Sequence, residues 1–154
     1  MLPPRIADTF ARVPDELVAL CRPHRWEQLT APPGEGMRPI CDILVHLIGA
    51  EAYWIGHVVR GGSRPHLSPE DFADLDAILS RWKPQREATL AFLAGLTPEA
   101  AAARRPFPWD ASQSASVAEI AWHVVTHEQY HRGQIVTRLA LLGRRDLPDH
   151  DLIR

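Results

Sequence analysis

The sequence predicts an all-α fold, a four-helix bundle, on the basis of two observations. Breaks rich in proline and glycine divide the 154 residues into four long segments whose apolar side chains recur at helical spacing. No segment shows the alternation of β-branched residues that is expected of a strand. Four long amphipathic helices with short connections form a bundle, and the length suits one domain over residues 1–154.

The first two predicted helices lie on either side of a loop at residues 31–37 that contains two prolines and two glycines. The first helix covers about residues 5–26, with an uncertain middle at Pro14, because proline removes a helical hydrogen bond. The second covers about residues 39–59. It is followed by a breaker at residues 60–63 that contains adjacent glycines, which favour a turn over a continuing helix.

The third predicted helix opens at Ser68, a natural N-cap, and the following proline suits the first helical turn. It continues to about residue 96, with a weak point at Pro84. Residues 97–114 are rich in alanine, arginine and proline, so part of this stretch is predicted to be loop.

The fourth predicted helix begins after Ser116, which forms a capping box with Glu119 three residues later. It ends at Gly143, which suits a C-cap because glycine adopts the left-handed conformation without steric cost. This helix carries most of the chemically informative residues.

Composition excludes several classes of protein. The formal net charge is −2 and no run of Lys or Arg forms a basic patch, so we expect no nucleic-acid partner. No stretch approaches the roughly 18 to 20 apolar residues needed to span a bilayer, and no signal peptide is evident, so we expect no membrane association. Cys21 and Cys41 form no metal or disulfide motif, which fits a reducing compartment and a cytoplasmic protein.

Three histidines are candidate ligands for one metal ion. His127 and His131 lie four residues apart, about 40° around a helix, so their imidazoles can converge on one ion beside the apolar stripe of the fourth helix. His46, on the edge of the apolar stripe of the second helix, offers the third ligand, whereas His57 lies about 16 Å further along that helix. The alternative is a pair of hydrogen-bonded or partly exposed histidines. Three imidazoles would leave a coordination position open, as in catalytic sites.

Glu128 is the candidate catalytic residue, because it follows His127 and could move a proton near a metal-activated water. The alternative is an exposed helix acid that pairs with Arg132. Residues 127–131 match the HExxH signature of zinc proteases, but Gln134 and Thr137 occupy the positions of the extended motif, and no glutamate follows Glu128. A protease is therefore disfavoured.

Further side chains near the candidate ligands have two interpretations each. Asp42 could orient His46 or be a solvated acid of the first turn. Trp54 and Trp122 could line a pocket, although core packing is the favoured role. The hydroxyls of Tyr53 and Tyr130 could reach the site, although no catalytic role is assigned to either.

A loop before the fourth helix is a further candidate, because Trp109 and Asp110 could roof the site from there. The sequence assigns neither residue a role.

The motifs of the second and fourth helices resemble the DinB/YfiT-like superfamily. The resemblance rests on the segment 40–46, which ends in His46, and on the segment 123–134, which reads His-x-x-x-His-x-x-x-His-Arg-Gly-Gln. It implies an up-down-down-up four-helix bundle with His46, His127 and His131 as metal ligands. It further implies that His123 is not a ligand.

The resemblance also implies a function. Characterised relatives include thiol-dependent transferases and isomerases that use mycothiol or bacillithiol, and homodimers are common. We therefore expect a metal-dependent enzyme that acts on a small molecule with a low-molecular-weight thiol, or a metal-hydroxide hydrolase. The metal would be zinc or nickel, with iron as an alternative, because a three-imidazole site accepts all of them. The alternative is a noncatalytic metal- or ligand-binding bundle that acts as a dimeric interaction module.

Overall fold

Four long helices form the body of the protein, and the computed structural model describes residues 2–148 of the chain. The four are α1 (Pro4–Cys21), α3 (Ile40–Glu51, continued by a π-helix at Ala52–Val59), α4 (Leu75–Ala94) and α6 (Val117–Leu141). The shorter elements are α2 (Trp26–Thr30), a 3₁₀ turn (Pro69–Asp71), α5 (Pro98–Ala102), β1 (Arg104–Phe107) and β2 (Asp110–Ser116). The predicted domain, residues 1–154, extends beyond the described residues at both ends.

Contacts along α1 and α4 show that these two helices are antiparallel. Lys83 contacts Asp15 at 3.1 Å in the middle of both helices. Towards the end of α1, Arg22 instead contacts Asp76 at 2.6 Å, near the start of α4. Later residues of α1 therefore meet earlier residues of α4.

The helix pair α3 and α6 is antiparallel as well. Before α3 begins, the carbonyl of Arg38 accepts a hydrogen bond from Arg138, near the end of α6, at 2.8 Å. At the other end, the ring of Trp54 in the π-helix contacts the ring of His123, early in α6.

Contacts between α1 and α6 run in the same direction along both helices. Arg132 donates to Glu16 at 3.0 Å, and Arg144, just after α6, donates to the carbonyl of Leu20. With α1 up, α6 is therefore up, and α3 and α4 are both down. These contacts confirm the predicted up-down-down-up bundle. Residues 60–74 run back along the molecule and connect the end of the π-helix to the start of α4, which is parallel to α3.

The core consists of two apolar clusters stacked along the bundle. One contains side chains from α1, α3, α4 and the second half of α6, among them the fully buried Leu17, Ile48, Trp82 and Ile135. The other joins the beginning of α1 to the π-helix and the first half of α6, and includes Phe10, Ile55 and Ile120. Burial of these side chains is the main force that holds the helices together.

Two predicted helix boundaries are wrong. The first helix ends at Cys21, and Trp26–Thr30 forms the separate helix α2, whereas Pro14 is accommodated inside α1 as a buried residue. Ser68 caps only the 3₁₀ turn. The long helix α4 begins later, at Leu75, because the carboxylate of Asp74 accepts a hydrogen bond from the Ala77 amide at 2.8 Å.

The prediction that no segment forms a strand is also wrong, because β1 and β2 pair as an antiparallel hairpin. Its residues are mostly Arg, Pro, Ser and Ala, which give no β-branched alternation. Main-chain pairing and side-chain contacts hold it instead: Arg104 donates to the Ser114 hydroxyl at 2.8 Å, and the Val117 amide donates to the Ala103 carbonyl at 3.0 Å. Among residues 2–148, no helix combines the length with the apolar character that crossing a lipid bilayer requires.

Candidate metal centre

The structure brings the three predicted histidines together between α3 and α6. The Nε2 atom of His127 lies 3.1 Å from Nε2 of His46 and 3.2 Å from Nε2 of His131. One ligand atom from each of the three residues lies within 4.8 Å of the others. The packing of two antiparallel helices thus brings His46 and His127 together, although they are 81 residues apart in the sequence.

The geometry and the hydrogen bonding of the three imidazoles fit a divalent metal ion. Two nitrogens at 2.0–2.1 Å from a tetrahedral zinc ion lie roughly 3.3 Å apart, close to the two measured separations. Nδ1 of His131 lies 2.9 Å from Oε1 of Gln134, so it carries the proton and leaves Nε2 as a lone pair. Nε2 of His127 can carry one proton, and that proton can form a hydrogen bond with Nε2 of either His46 or His131 but not with both. The remaining contact would then lack a proton between its two nitrogens. A shared cation resolves that conflict.

The surroundings also keep these imidazoles unprotonated. Burial, reinforced by the neighbouring imidazoles, lowers the pKa of His127 to about 4. Burial, followed by the charge of His131, lowers the pKa of His46. Burial likewise lowers the pKa of His131, against the opposing hydrogen bond to Gln134. Neutral imidazoles are the form that binds metal, so at neutral pH little proton competition is expected.

The group opens to solvent on one flank of the α3–α6 groove. His46 and His127 are half-buried, and His131 is buried. The rings of two exposed residues of α6 border it: Tyr130 lies 5.0 Å from the ring of His131, and His123 lies 5.7 Å from the ring of His127. The side chains of His46 and His127 are therefore partly accessible to solvent in the folded protein.

Asp42 does not take the orienting role considered for it, and His57 lies outside the site as predicted. Among residues 2–148, Asp42 forms no hydrogen bond with His46, and burial raises its pKa while Arg38 opposes that shift. His57, further along the π-helix, instead contacts the carbonyl of Gly62 through Nδ1 at 2.7 Å, which agrees with its predicted exclusion from the site.

The structure does not support the predicted role of Glu128 as a proton shuttle, nor the alternative of an exposed acid. The residue is 4% exposed, and its carboxylate forms a buried ion pair with Arg86 of α4. One position along a helix turns a side chain by about 100°, so the neighbour of His127 faces the core. Burial raises the pKa of Glu128 to about 7, against the pull of Arg86.

Sequence reasoning missed the ion cluster to which Glu128 belongs. Arg86 is 3% exposed and donates from Nη2 to Oε2 of Glu51 at 2.9 Å, and the indole of Trp82 donates to the same oxygen at 3.2 Å. A signal was present: Ile78, Trp82, Arg86 and Leu93 follow helical spacing, which places the arginine on the buried stripe.

A cavity of about 500 Å³ lies on the far side of α3, between the π-helix and α4. Its lining includes Glu51, Arg60, Arg81 and Gln85, but none of the three histidines. It is therefore separate from the metal centre.

Trp54 and Trp122, the two tryptophans considered in the sequence, differ from each other in burial. Trp54 is half-buried, with its ring 4.9 Å from that of His123, whereas Trp122 is 40% exposed and does not take the favoured core role. Gly133 of the His-Arg-Gly-Gln segment has no atom from outside its own helical turns within 4 Å of the position that a Cβ would occupy.

The fold and the site define a class: helical bundles with a three-histidine group between two antiparallel helices. The family model of the DinB superfamily matches residues 9–135, and the chain belongs to that superfamily. This finding confirms the resemblance seen in the sequence. No curated protein matches the sequence.

Two solved structures from Bacillus subtilis share the fold. YfiT, described as a probable metal-dependent hydrolase with an unusual four-helix bundle topology, superposes with a TM-score of 0.72 at 16% identity, over 91% of this chain and 87% of YfiT. The DinB-like protein YjoA superposes with a TM-score of 0.73 at 16% identity, over 97% of this chain and 99% of YjoA.

Proposed function

We propose that this protein is a metal-dependent hydrolase whose one divalent ion, zinc or nickel, is held by His46, His127 and His131. The observation that carries the proposal is the convergence of three Nε2 atoms, two of whose separations are 3.1 and 3.2 Å. Such an ion lowers the pKa of a coordinated water or thiol and so supplies a nucleophile at neutral pH.

The residues of this chain contribute positioning and access. Gln134 fixes the ring of His131, and burial keeps all three imidazoles in the neutral, ligating form. The half-buried placement of His46 and His127 admits substrate from the solvent side. Because Glu128 is committed to Arg86, no proton transfer is assigned to it. The description of YfiT as a probable metal-dependent hydrolase supports the choice of water as the nucleophile.

Thiol transfer or isomerisation is the second candidate. It is favoured by the engagement of Glu128 in a buried ion pair, since a thiol bound to a metal needs no protein base to lose its proton. The family resemblance implies the same chemistry. Both candidates use the same three histidines and differ in the molecule that binds beside them.

The proposal is tested by elemental analysis of the purified protein and of the double variant His127→Ala/His131→Ala. His123→Ala is the matched control, because it removes an exposed histidine of the same helix. We expect about one transition-metal ion per native chain and per His123→Ala chain, and none in the double variant, whose folding is verified by circular dichroism.

Native protein that holds no metal after incubation with zinc, nickel or iron would overturn the proposal. The noncatalytic interaction module would then be preferred, and sedimentation would test whether it is a homodimer.

Cobalt substitution separates the two candidate reactions. A thiolate ligand to Co²⁺ gives an intense sulfur-to-metal absorption band that oxygen ligands do not give. If bacillithiol or cysteine produces that band in the native protein but not in the double variant, thiol chemistry is favoured. If neither thiol changes the spectrum while an ester substrate is hydrolysed, the hydrolase assignment stands.

A further inference from the structure

The β-hairpin is attached to the end of the bundle where α6 begins. Arg105 of β1 donates from Nε to the carbonyl of Val59, the last residue of the π-helix, at 3.1 Å. The turn is fixed by Asp110, whose carboxylate accepts hydrogen bonds from the Ser112 amide at 3.0 Å and from Gln113 at 2.7 Å. The tip of the hairpin is therefore held in place beside the π-helix.

That tip carries two aromatic rings that meet a third from the π-helix. Phe107 and Trp109 stack at 4.9 Å with an interplanar angle of 16°. The ring of Trp54 stands edge-on to both, at 6.1 Å from Phe107 and 5.7 Å from Trp109. We call Trp54, Phe107 and Trp109 the aromatic wall.

The aromatic wall is continuous with the metal centre. The ring of Trp54 lies 4.9 Å from the ring of His123, and His123 lies 5.7 Å from His127. The ring of His123 thus contacts both the aromatic wall and a proposed metal ligand, and His123 and Trp109 are both exposed to solvent.

The exposure of Trp109 has no explanation in the folding of the chain. Its side chain is 62% exposed, although burying an indole is strongly favourable. Exposed apolar patches often mark binding surfaces, and small-molecule sites are lined mainly by hydrophobic and aromatic side chains beside a few polar groups.

We infer that the aromatic wall binds a planar aromatic group of the substrate while the three histidines act on a bond attached to that group. The assignment rests on the proposed function for the reaction, but the wall's affinity for an aromatic ring is independent of it. The stacked pair and the perpendicular Trp54 form a corner whose open face is the exposed indole of Trp109. A flat ring fits such a corner better than a branched aliphatic chain, because aromatic rings pair by offset stacking and edge contacts.

Binding of 1-naphthol, measured by isothermal titration calorimetry on metal-free and zinc-treated protein, tests the aromatic wall without any turnover. We expect Trp109→Ala to weaken binding roughly ten-fold, the equivalent of one lost aromatic pair, and Trp109→Phe to retain most of it. Trp122→Ala is the matched control, because Trp122 is also exposed but lies on α6, outside the aromatic wall. This variant should bind 1-naphthol with unchanged affinity.

Absence of 1-naphthol binding to native protein would overturn the inference, as would equal affinities of the native protein and Trp109→Ala. An equal loss in Trp122→Ala would show nonspecific adsorption to indoles and would overturn it as well. Since Trp109 is exposed and outside the core, its replacement is not expected to unfold the protein, and circular dichroism verifies this.

Paramagnetic relaxation by Co²⁺ tests whether the wall serves the metal centre. In cobalt-loaded native protein, the proton signals of bound 1-naphthol should relax faster than in zinc-loaded protein, and Trp109→Ala should reduce the effect. Binding without any cobalt effect would overturn the link to the three histidines. If cobalt itself fails to bind, the proposed function fails, and the calorimetry alone decides the aromatic wall.

Discussion

We expect the removal of the buried charge of Arg86 to destabilise the fold more than the removal of an exposed charge. Its guanidinium is 3% exposed and donates to Glu51 at 3.1 Å from Nε and at 2.9 Å from Nη2. It also donates to Glu128 and to the carbonyl of Phe10, and its centre lies 3.4 Å from the centroid of the Phe10 ring. Burial lowers the pKa of Arg86, but Glu128 and Glu51 more than offset that effect. Arg86 is therefore fully charged.

The substitution Arg86→Leu keeps much of the side-chain volume but removes the hydrogen-bonded ion-pair partner of two buried carboxyl groups, those of Glu51 and Glu128. Removing one partner of a buried, hydrogen-bonded ion pair costs about 3–5 kcal/mol. A small domain has only about 5–15 kcal/mol of stability in total, so this single change should consume a large part of it. Lys83→Ala on the same helix is the matched control. The side chains of its ion pair with Asp15 are 46% and 53% exposed, so its removal should cost under about 1 kcal/mol.

Urea unfolding of metal-free protein, followed by far-ultraviolet circular dichroism, measures both variants against the native chain. We further expect that replacing Glu51 and Glu128 by leucine in the Arg86→Leu background restores much of the lost stability, since apolar substitutes of a buried ion cluster are often neutral or stabilising. A cost for Arg86→Leu no larger than that of Lys83→Ala would refute the argument, because the buried cluster would then contribute no more than a surface pair.

Three further predictions follow from other parts of the structure. Gly133→Ala should stabilise the protein by about 0.5–1 kcal/mol in the same unfolding assay, because an added Cβ meets no atom in the middle of α6; a loss of stability would contradict this. Ser116→Ala should cost about 1 kcal/mol by the same measurement, since the Ser116 hydroxyl accepts a hydrogen bond from the Glu119 amide at 3.2 Å. An unchanged urea midpoint of unfolding would count against this cap. Burial raises the pKa of Cys21 to about 12 and that of Cys41 to about 11, so native protein should not react with a thiol-specific disulfide reagent near neutral pH until urea unfolds it; rapid labelling of folded protein would disagree.

Much of the fold and of the candidate site could be predicted because the relevant interactions are local in sequence. Helical periodicity is repeated over many residues, so it located four helices despite errors at their ends. The capping box of Ser116 and Glu119 spans one helical turn, and both of its hydrogen bonds are present. His127 and His131 are neighbours on one helix face for the same reason, and helix phase placed His46 at the edge of the facing stripe.

The hairpin could not be predicted, since its strands lack the residue types that favour strands. They are held by main-chain pairing and by a hydrogen bond to the π-helix, which is remote in sequence. The aromatic wall has the same origin: Trp54 and Trp109 meet where the hairpin lies against the π-helix, to whose last residue Arg105 donates a hydrogen bond. Sequence reasoning marked Trp109 as a possible roof, but the partner rings were visible only in the fold.

The sequence by itself determined the four long helices, the cap of α6 at Ser116 and the choice of three histidines as candidate ligands. Each of these depends on the spacing of residues within a turn or two of one helix. Only the tertiary structure decided what Glu128 does. Its position next to His127 made it a natural catalytic candidate, but its orientation depends on Arg86, 42 residues away in the chain. A buried charge requires a partner, and which partner it finds is fixed by the packing of the helices around the core rather than by the local sequence.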